Sequence, residues 1–517
     1  DSFVINFTEY PLMAQPEKIV DLNENLSDLN TMRSVGGKKQ TIGLRDDVVS
    51  SFLSKNENLK AAIQQAYDLF KNIQDDNSAF LDLDESDQVK MVQNGIVNFY
   101  IKDAINPYIA AGAKGSWIIS LKGAVIFDCG GYGMLGLGHA PDSVLDAMNQ
   151  PHVMANIMTP SVNQMDFIKS LHKEIGHKRK SGNPFSHFSC VNSGSESVTV
   201  AARLADVNAK ELTGPSGPYE GYPVKGLTLK ESFHGRTDRA ARYSDSSMKD
   251  YRKALKSFET ENNLITVAPN NIEQLEDVFK KAHREKFFIE AFFMEPVMGE
   301  GNPGQAISRE FYSKARELTQ EHGTLLLIDS IQAGLRAHGV LSIVDYPGFR
   351  DLPEPDMETY SKALNAGQFP FSVLAMNKRT SELYRDGIYG NTMTSSPRAL
   401  DVAIAVLNQL TPDLRKNICD RGVELGEKLK SLSNELKGTI NAVQGTGLLA
   451  SCELDKSYKC YGKNSIEEYL RHRGLGVIHG GINSIRYTPC FDISSNEIDL
   501  IIDLTRDALI NGPRKTD

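Results

Sequence analysis

Hydrophobic and polar positions follow different periods in different parts of the chain, and the change of period divides it. In ENLKAAIQQAYDLFKNI the apolar residues recur every three to four positions, the spacing of one helical face. Much of residues 1–115 is polar, acidic and poor in strand signals, so this stretch is expected to be a mostly helical extension packed on the core. From Ser116 the pattern turns strand-like (SWIISLKGAVIFD), then glycine-rich, then helical from Pro141. Beyond residue 187 short apolar runs alternate with helical stretches. HFSCVN, LTLKESF, FFIEAFFMEPV, TLLLID, METYS and SVLAMN read as strands, while SESVTVAARLADVNAKEL and SREFYSKARELTQEHG read as helices. Such alternation predicts an α/β fold, a mostly parallel sheet with helices on both faces. After about residue 400 come two long helical patterns and a short mixed end. The expected division is 1–115 as the extension, 116–175 as the first part of a smaller α+β domain with its linker, 176–400 as the large domain, and 401–517 as the rest of the small one.

Composition narrows the function classes. With 57 Lys and Arg against 66 Asp and Glu, a net charge of −9 disfavours phosphate-backbone and anionic-membrane partners. Six scattered cysteines have no C-x-x-C and no metal-ligand spacing, which reads as buried thiols in a reducing compartment, the cytoplasm. No apolar run reaches membrane-helix length.

One glycine motif misleads. Gly131, Gly133 and Gly136 have the G-x-G-x-x-G spacing after a strand-like AVIFD, but a dinucleotide site needs an acid roughly 20 residues on, where the chain reads HVMANIMTP. A tight turn near a domain junction is the expected role.

Open α/β sheets bind ligands at the carboxyl ends of their strands, and chemistry-bearing residues collect there. Ser193, Gly194 and Ser195 lead from HFSCVN into a helix, offering amides, hydroxyls and a positive helix end to a phosphate. Phe233, His234 and Arg236 follow LTLKES, Glu295 and Glu300 follow FFIEAFFM, Asp329 and Gln332 follow TLLLI, and Lys362 follows METYS. Each alone has a structural explanation: a helix cap, a capping carboxylate, a core ring, a surface lysine. Together they suit pyridoxal 5′-phosphate. A desolvated lysine holds the aldehyde as a Schiff base and shuttles protons. A carboxylate keeps the pyridine nitrogen protonated, a helix start anchors the phosphate, and an aromatic ring covers the face.

Eight segments in one order, FDCGGYGMLGLGHAPDSVLDAM, VNSGSESV, ESFHGRT, MEPVMGEGN, LLLIDSIQAG, PDMETYSKAL, YGNTMTSSP and SIRYTPC, resemble the class III aminotransferases over about residues 115–505. These are fold type I enzymes dependent on pyridoxal phosphate, among them the ornithine, acetylornithine and 4-aminobutyrate aminotransferases. The resemblance implies Lys362 as the Schiff-base lysine, Asp329 as the pyridinium partner and Gln332 as the ring-hydroxyl contact. It makes Ser193, Gly194 and Ser195 the phosphate cup, places Phe233 and His234 at the cofactor, and sends Thr392 to the phosphate of a neighbouring subunit, implying a homodimer with shared sites.

It also implies transfer from a terminal-amine donor (an ω-amino acid, lysine, ornithine or a diamine) to an oxo acid. Arg486 and Arg236 suit the two carboxylates of 2-oxoglutarate, with Glu300 as a switch that pairs with Arg486 and then releases it. The chain departs from the family where Asp-Glu becomes Asp329-Ser330, where the following glycine-arginine run reads GLRAHG, and at Thr394, Ser395 and Ser396. An aminomutase or racemase of the same family is the alternative activity. A cofactor-binding regulator fused to a DNA-binding module is the non-enzymatic one, disfavoured because the first 110 residues are acid-rich with no basic recognition helix.

Overall fold

In the computed structural model residues 22–130, 132–153, 157–260 and 262–515 are described. The chain opens with helices α1 (Leu22–Arg33), α2 (Asp46–Leu53), α3 (Glu57–Leu81) and α4 (Glu85–Gln93). The helical spacing in α3 buries Leu59, Ile63, Ala66 and Phe70 on one stripe, and Asn56 caps the helix by accepting the amide of Leu59. That stripe lies against β1 (Ala110–Lys114), a strand inside the stretch expected to be helical. Its sequence, AAGAK, carries no β-branched or aromatic residue, so pairing with β2 (Trp117–Ser120) and packing under α3 make it a strand. β2 turns back into β3 (Val125–Asp128), and Trp117 packs on Phe52 and Phe127 with ring centroids 5.2 and 5.1 Å apart. Helices α5 (Asp142–Met148) and α6 (Val162–Glu174) follow, the latter starting in a Ser161/Gln164 capping box.

The centre is a seven-stranded sheet built from β4 (His187–Val191), β5 (Val224–Leu229), β6 (Leu264–Val267), β7 (Phe288–Met294), β8 (Leu325–Asp329), β9 (Met357–Tyr360) and β10 (Ser372–Met376). Its order is β4-β10-β9-β8-β7-β5-β6. The pairs from β9 to β6 are parallel, whereas β10 runs antiparallel to both neighbours. Every residue of β7 and β8 is buried, as expected of strands covered on both faces. The short edge strand β6, LITV, has no counterpart among the runs that read as strands. Helix α7 (Gly194–Thr213) covers one face with a wall of small residues, Ala201, Ala202 and Ala205. On the other face Arg316 of the helix Arg309–His322 makes a bidentate pair with Asp356, 2.7 and 3.1 Å, just before β9.

After the helices Pro397–Asn408 and Pro412–Glu435, the chain forms β11 (Ile440–Thr446) and β12 (Leu449–Leu454), then β13 (Leu475–Gly476), β14 (Ile478–Gly480) and β15 (Ser484–Tyr487). β13 pairs with β3, and the others form an antiparallel sheet in the order β11-β12-β15-β14. Arg336, fully buried, knits these parts together by donating to the carbonyls of Leu448, Pro489 and Gly133. The glycine-rich run thus turns at a junction, although its Gly131 lies outside the described residues. Among the described residues no helix is long and apolar enough to cross a membrane.

Candidate active site

The carboxyl ends of β5, β7, β8 and β9 and the start of α7 surround a cavity of about 490 Å³. Phe233, His234 and Arg236 come from the loop after β5, Glu295 and Glu300 from the loop after β7, Asp329 and Gln332 from β8 and its sequel, and Lys362 from just beyond β9. Gly194 and Ser195 supply the helix start. Most of the residues singled out in the sequence therefore meet in one place, because parallel strands deliver their ends to the same edge of the sheet.

Lys362 is the one lysine among the described residues that lines the cavity. Its backbone is held in the left-handed region at φ +24, directly after Ser361 at φ −157 and ψ −126, a pair of conformations that persists only where the surroundings impose it. Ser361 helps by donating to the Phe371 carbonyl at 2.6 Å. The side chain reaches the cavity but is otherwise ringed by protein, and burial followed by repulsion from Arg486 lowers its ammonium to about 8.

Asp329, 4% exposed, accepts from His234 Nδ1 at 2.7 Å on one oxygen and from the Ile331 amide at 3.1 Å on the other. The other nitrogen of His234 meets Thr228 Oγ1 at 3.1 Å. With Asp329 ionised, Nδ1 carries the proton and donates it. Glu295 accepts the amides of Phe233 and Gly299, and burial pushes its carboxyl up to about 7.

Two expectations, those for Ser193 and Glu300, need adjustment, while Thr392 is expected to serve a neighbouring subunit. Ser193 is exposed and does not line the cavity; it caps α7, accepting the Glu196 amide, so of the three residues expected to form the phosphate cup only Gly194 and Ser195 line the cavity. Thr392, also exposed, stands outside this chain's cavity on a loop pinned through Asn391 to Asn192 and Glu196. Glu300 meets Arg236, at 3.5 Å, rather than Arg486. Arg486, 1% exposed on β15, instead donates to the Gly299 carbonyl at 2.6 Å and to Gln332 Oε1 at 2.9 Å, with its Nε left unpaired. Burial lowers its affinity for the proton, and the charge of Glu300 is the largest attraction opposing that. Those acceptors hold Arg486 in place, while the half-buried Glu300 reaches toward the more exposed Arg236.

Several contributors escaped the sequence. Thr237, next to Arg236, lines the cavity, and Ser195 Oγ accepts the amides of both at 3.0 Å. Ile331 lines it as well. Tyr132, from the glycine-rich run, lies 5.9 Å from Lys362 Nζ and 5.8 Å from the Arg486 guanidinium carbon, measured to its ring centre. Tyr100 stacks on it at 6.1 Å, and Phe99 and Phe233 lie on Arg236 at 5.3 and 5.1 Å. The strand-end position of ESFHGRT could have pointed to Thr237. Tyr132 stands in the glycine-rich run, read from the sequence only as a turn, and nothing local marks Tyr100; both reach the site through tertiary packing.

These residues fit pyridoxal phosphate. A side chain at Gly235, where φ is +117, would place its Cβ 2.4 Å from Ser195 Oγ and 2.9 Å from the Ser195 Cα, so that wall closes only with glycine, and one at Gly194 would press on the Ile331 side chain at 2.5 Å. Gly194 and Ser195, the first residues of α7, line that cradle, and the amides at a helix start lack intrahelical partners and suit an anion. A desolvated amine, a carboxylate fixed by two donors, and two apolar surfaces in Phe233 and Ile331 complete the set.

Comparison with known proteins agrees. The family model "Aminotransferase class-III" matches residues 100–509. The chain is 26% identical over 404 residues to the ornithine aminotransferase of Staphylococcus epidermidis and 27% identical over 410 residues to ornithine aminotransferase 2 of Staphylococcus aureus, each match covering 77% of this chain and 93% of the relative. In fold it is similar to the ornithine aminotransferase of Toxoplasma gondii in a structure with partial occupancy of PLP at the active site, with TM-score 0.69, 20% identity, and coverage of 82% of this chain and 94% of that one.

Proposed function

The chain belongs to the class III aminotransferases, enzymes that work with pyridoxal 5′-phosphate, and from that premise we propose that it moves the amino group of a terminal-amine donor to 2-oxoglutarate. The observation that carries the site assignment is the meeting of Lys362, Asp329 and the α7 start in one cavity of about 490 Å³. When bound, the cofactor supplies an aldehyde carbon that receives the amino group and a ring that draws electron density from the carbon losing its proton.

The remaining work falls to the protein. Lys362 would hold the cofactor through its Nζ, and the same Nζ would carry the proton between carbons in both halves of the exchange. Asp329, fixed by His234, keeps the ring nitrogen protonated. Gly194, Ser195 and Thr237 bind the phosphate at the helix start. Gln332, with Oε1 given to Arg486, offers Nε2 to the ring hydroxyl. Thr392 serves the site of a second copy, in keeping with its exposed position outside its own cavity, so the active form is a homodimer.

Because burial brings Lys362 to about 8, its nucleophilic free amine becomes the major form above that pH. Covalent capture of pyridoxal phosphate by apo-protein is expected to accelerate with a midpoint near pH 8 and to level off above it. A stopped-flow pH series checks this; a midpoint near the ordinary lysine value of 10.5 would show the amine to be solvated.

The ornithine aminotransferases among the relatives support a terminal-amine donor. Arg236 pairs with Glu300, whose charge also acts on Arg486, and guanidiniums suit the two ends of a dicarboxylic acceptor. Arg236, already paired with Glu300, takes the distal carboxylate, and Arg486 the one beside the oxo group. In single-turnover kinetics Arg486→Ala should leave the donor half-reaction within about threefold of wild type and slow the 2-oxoglutarate half about 100-fold, the scale of losing one buried charge-assisted pair. Equal losses in both halves, or a wild-type protein that uses pyruvate and ignores 2-oxoglutarate, would overturn the assignment.

A further inference from the structure

Behind the cavity, on the opposite face of the sheet, lies a carboxylate that the reaction does not use. In the β8–β9 register Ile328 faces Glu358 and Asp329 faces Thr359. Side chains alternate along a strand, so Asp329 projects to one face while Ile328, Ser330 and Glu358 share the other. Glu358 is fully buried, as are Ser330 and Ser342. Its Oε1 accepts from Ser330 Oγ at 2.6 Å and from the Ile343 amide at 2.9 Å, and its Oε2 accepts from Ser342 Oγ at 2.5 Å.

The three donors come from the two feet of one loop. Ser330 begins the excursion that leaves β8, and Ser342 and Ile343 end it; between them lie Gln332, which holds Arg486, and Arg336, which ties Gly133, Leu448 and Pro489. Glu358 itself stands four residues before Lys362 on β9, whose departure into the left-handed region needs a rigid base. Ser330 also donates its amide to the Thr359 carbonyl at 3.0 Å, extending the β8–β9 ladder past Asp329. Burial pushes the Glu358 carboxyl up to about 7, and the three donors, together with the neighbouring Tyr360 hydroxyl, oppose that rise.

We propose that Glu358 is a positioning residue of the active site: it closes loop 330–343 at both feet and locks the strand end carrying Asp329 to the strand end carrying Lys362. The departure from the family at Ser330 is thereby accounted for, since this serine is a donor to the carboxylate on the neighbouring strand. The inference rests on the assignment of Lys362 and Asp329 to the cofactor.

The test uses purified holoenzyme. Glu358→Gln keeps the volume but can no longer accept from all three donors. It should lower kcat about 30-fold, leave KM for both substrates within about twofold, and shift the pH midpoint of the cofactor's visible absorbance. A purely structural carboxylate would lower Tm without moving that midpoint. Because Glu358→Gln could fail to fold, Ser342→Ala is the second variant: it removes one donor from the solvent-shielded side of the loop and should give a smaller shift in the same direction. The double variant Ser330→Glu/Glu358→Ser, which moves the carboxyl across a 2.6 Å contact, should restore kcat to within about threefold of wild type. Wild-type kcat and absorbance midpoint in Glu358→Gln and Ser342→Ala would overturn the proposal, as would a folded double variant no better than Glu358→Gln. Mass-spectrometric mapping of reduced cofactor in the wild-type protein separates the two levels: label on a lysine other than Lys362 refutes the site assignment, whatever the Glu358 variants do.

Discussion

Lys362→Ala is expected to reduce kcat by roughly 10⁴-fold or more, the combined scale of losing a covalent anchor and the acid–base group that moves the proton. No other lysine among the described residues lines the cavity, so no neighbouring amine can take over. Holoprotein treated with borohydride should lose its cofactor label on denaturation, whereas the wild type should retain it on the peptide containing Lys362. The fold should survive. The wild-type side chain is an ammonium desolvated without a directly bonded carboxylate, and its replacement removes a charge that burial penalises. Thermal unfolding of the apo-form should therefore show a Tm equal to or above that of wild-type apo-protein. Substantial turnover in this variant, or a retained label, would transfer the role to another residue.

Asp329→Asn should lower kcat/KM about 10³-fold for every donor, in the range seen when one preorganised electrostatic contact to reacting charge is removed. The carboxamide can keep accepting the Ile331 amide, and its nitrogen can donate to His234 Nδ1 if the imidazole proton moves to Nε2, where Thr228 Oγ1 can accept it. The hydrogen-bond network thus persists with its charge removed. Covalent cofactor binding at Lys362 should remain, Tm should change by a few degrees at most, and the ring nitrogen should no longer be held protonated. Near-wild-type turnover would mean that Asp329 serves only to fix His234.

Much of the central sheet could be read from the chain because its strands are continuous apolar runs ended by polar, chemistry-bearing residues. TLLLID and FFIEAFFM have no amphipathic alternative, and they became β8 and β7. Where the local signal was weak the reading failed. β1 is AAGAK, small residues that extend only because β2 and α3 hold them, and β6 is four residues at a sheet edge. The same holds in the site. Lys362, Asp329 and Phe233 announced themselves by residue type at strand ends, whereas Tyr132, marked only as part of a glycine-rich turn, meets Lys362 and Arg486, and Tyr100 stacks on it, only because distant segments pack together.

By itself the sequence determined the class of chemistry: an amine, a carboxylate and a helix start placed at successive strand ends must face one crevice, since parallel strands joined by crossover helices all point their carboxyl ends the same way. The partners of each charge were decided only by tertiary structure. Glu300 pairs with Arg236, Arg486 is held by Gln332 and the Gly299 carbonyl, and Glu358 gathers Ser330, Ser342 and the Ile343 amide. A buried charge takes whichever donors or acceptors the packing brings within about 3 Å, and that distance is set by elements far apart in the chain.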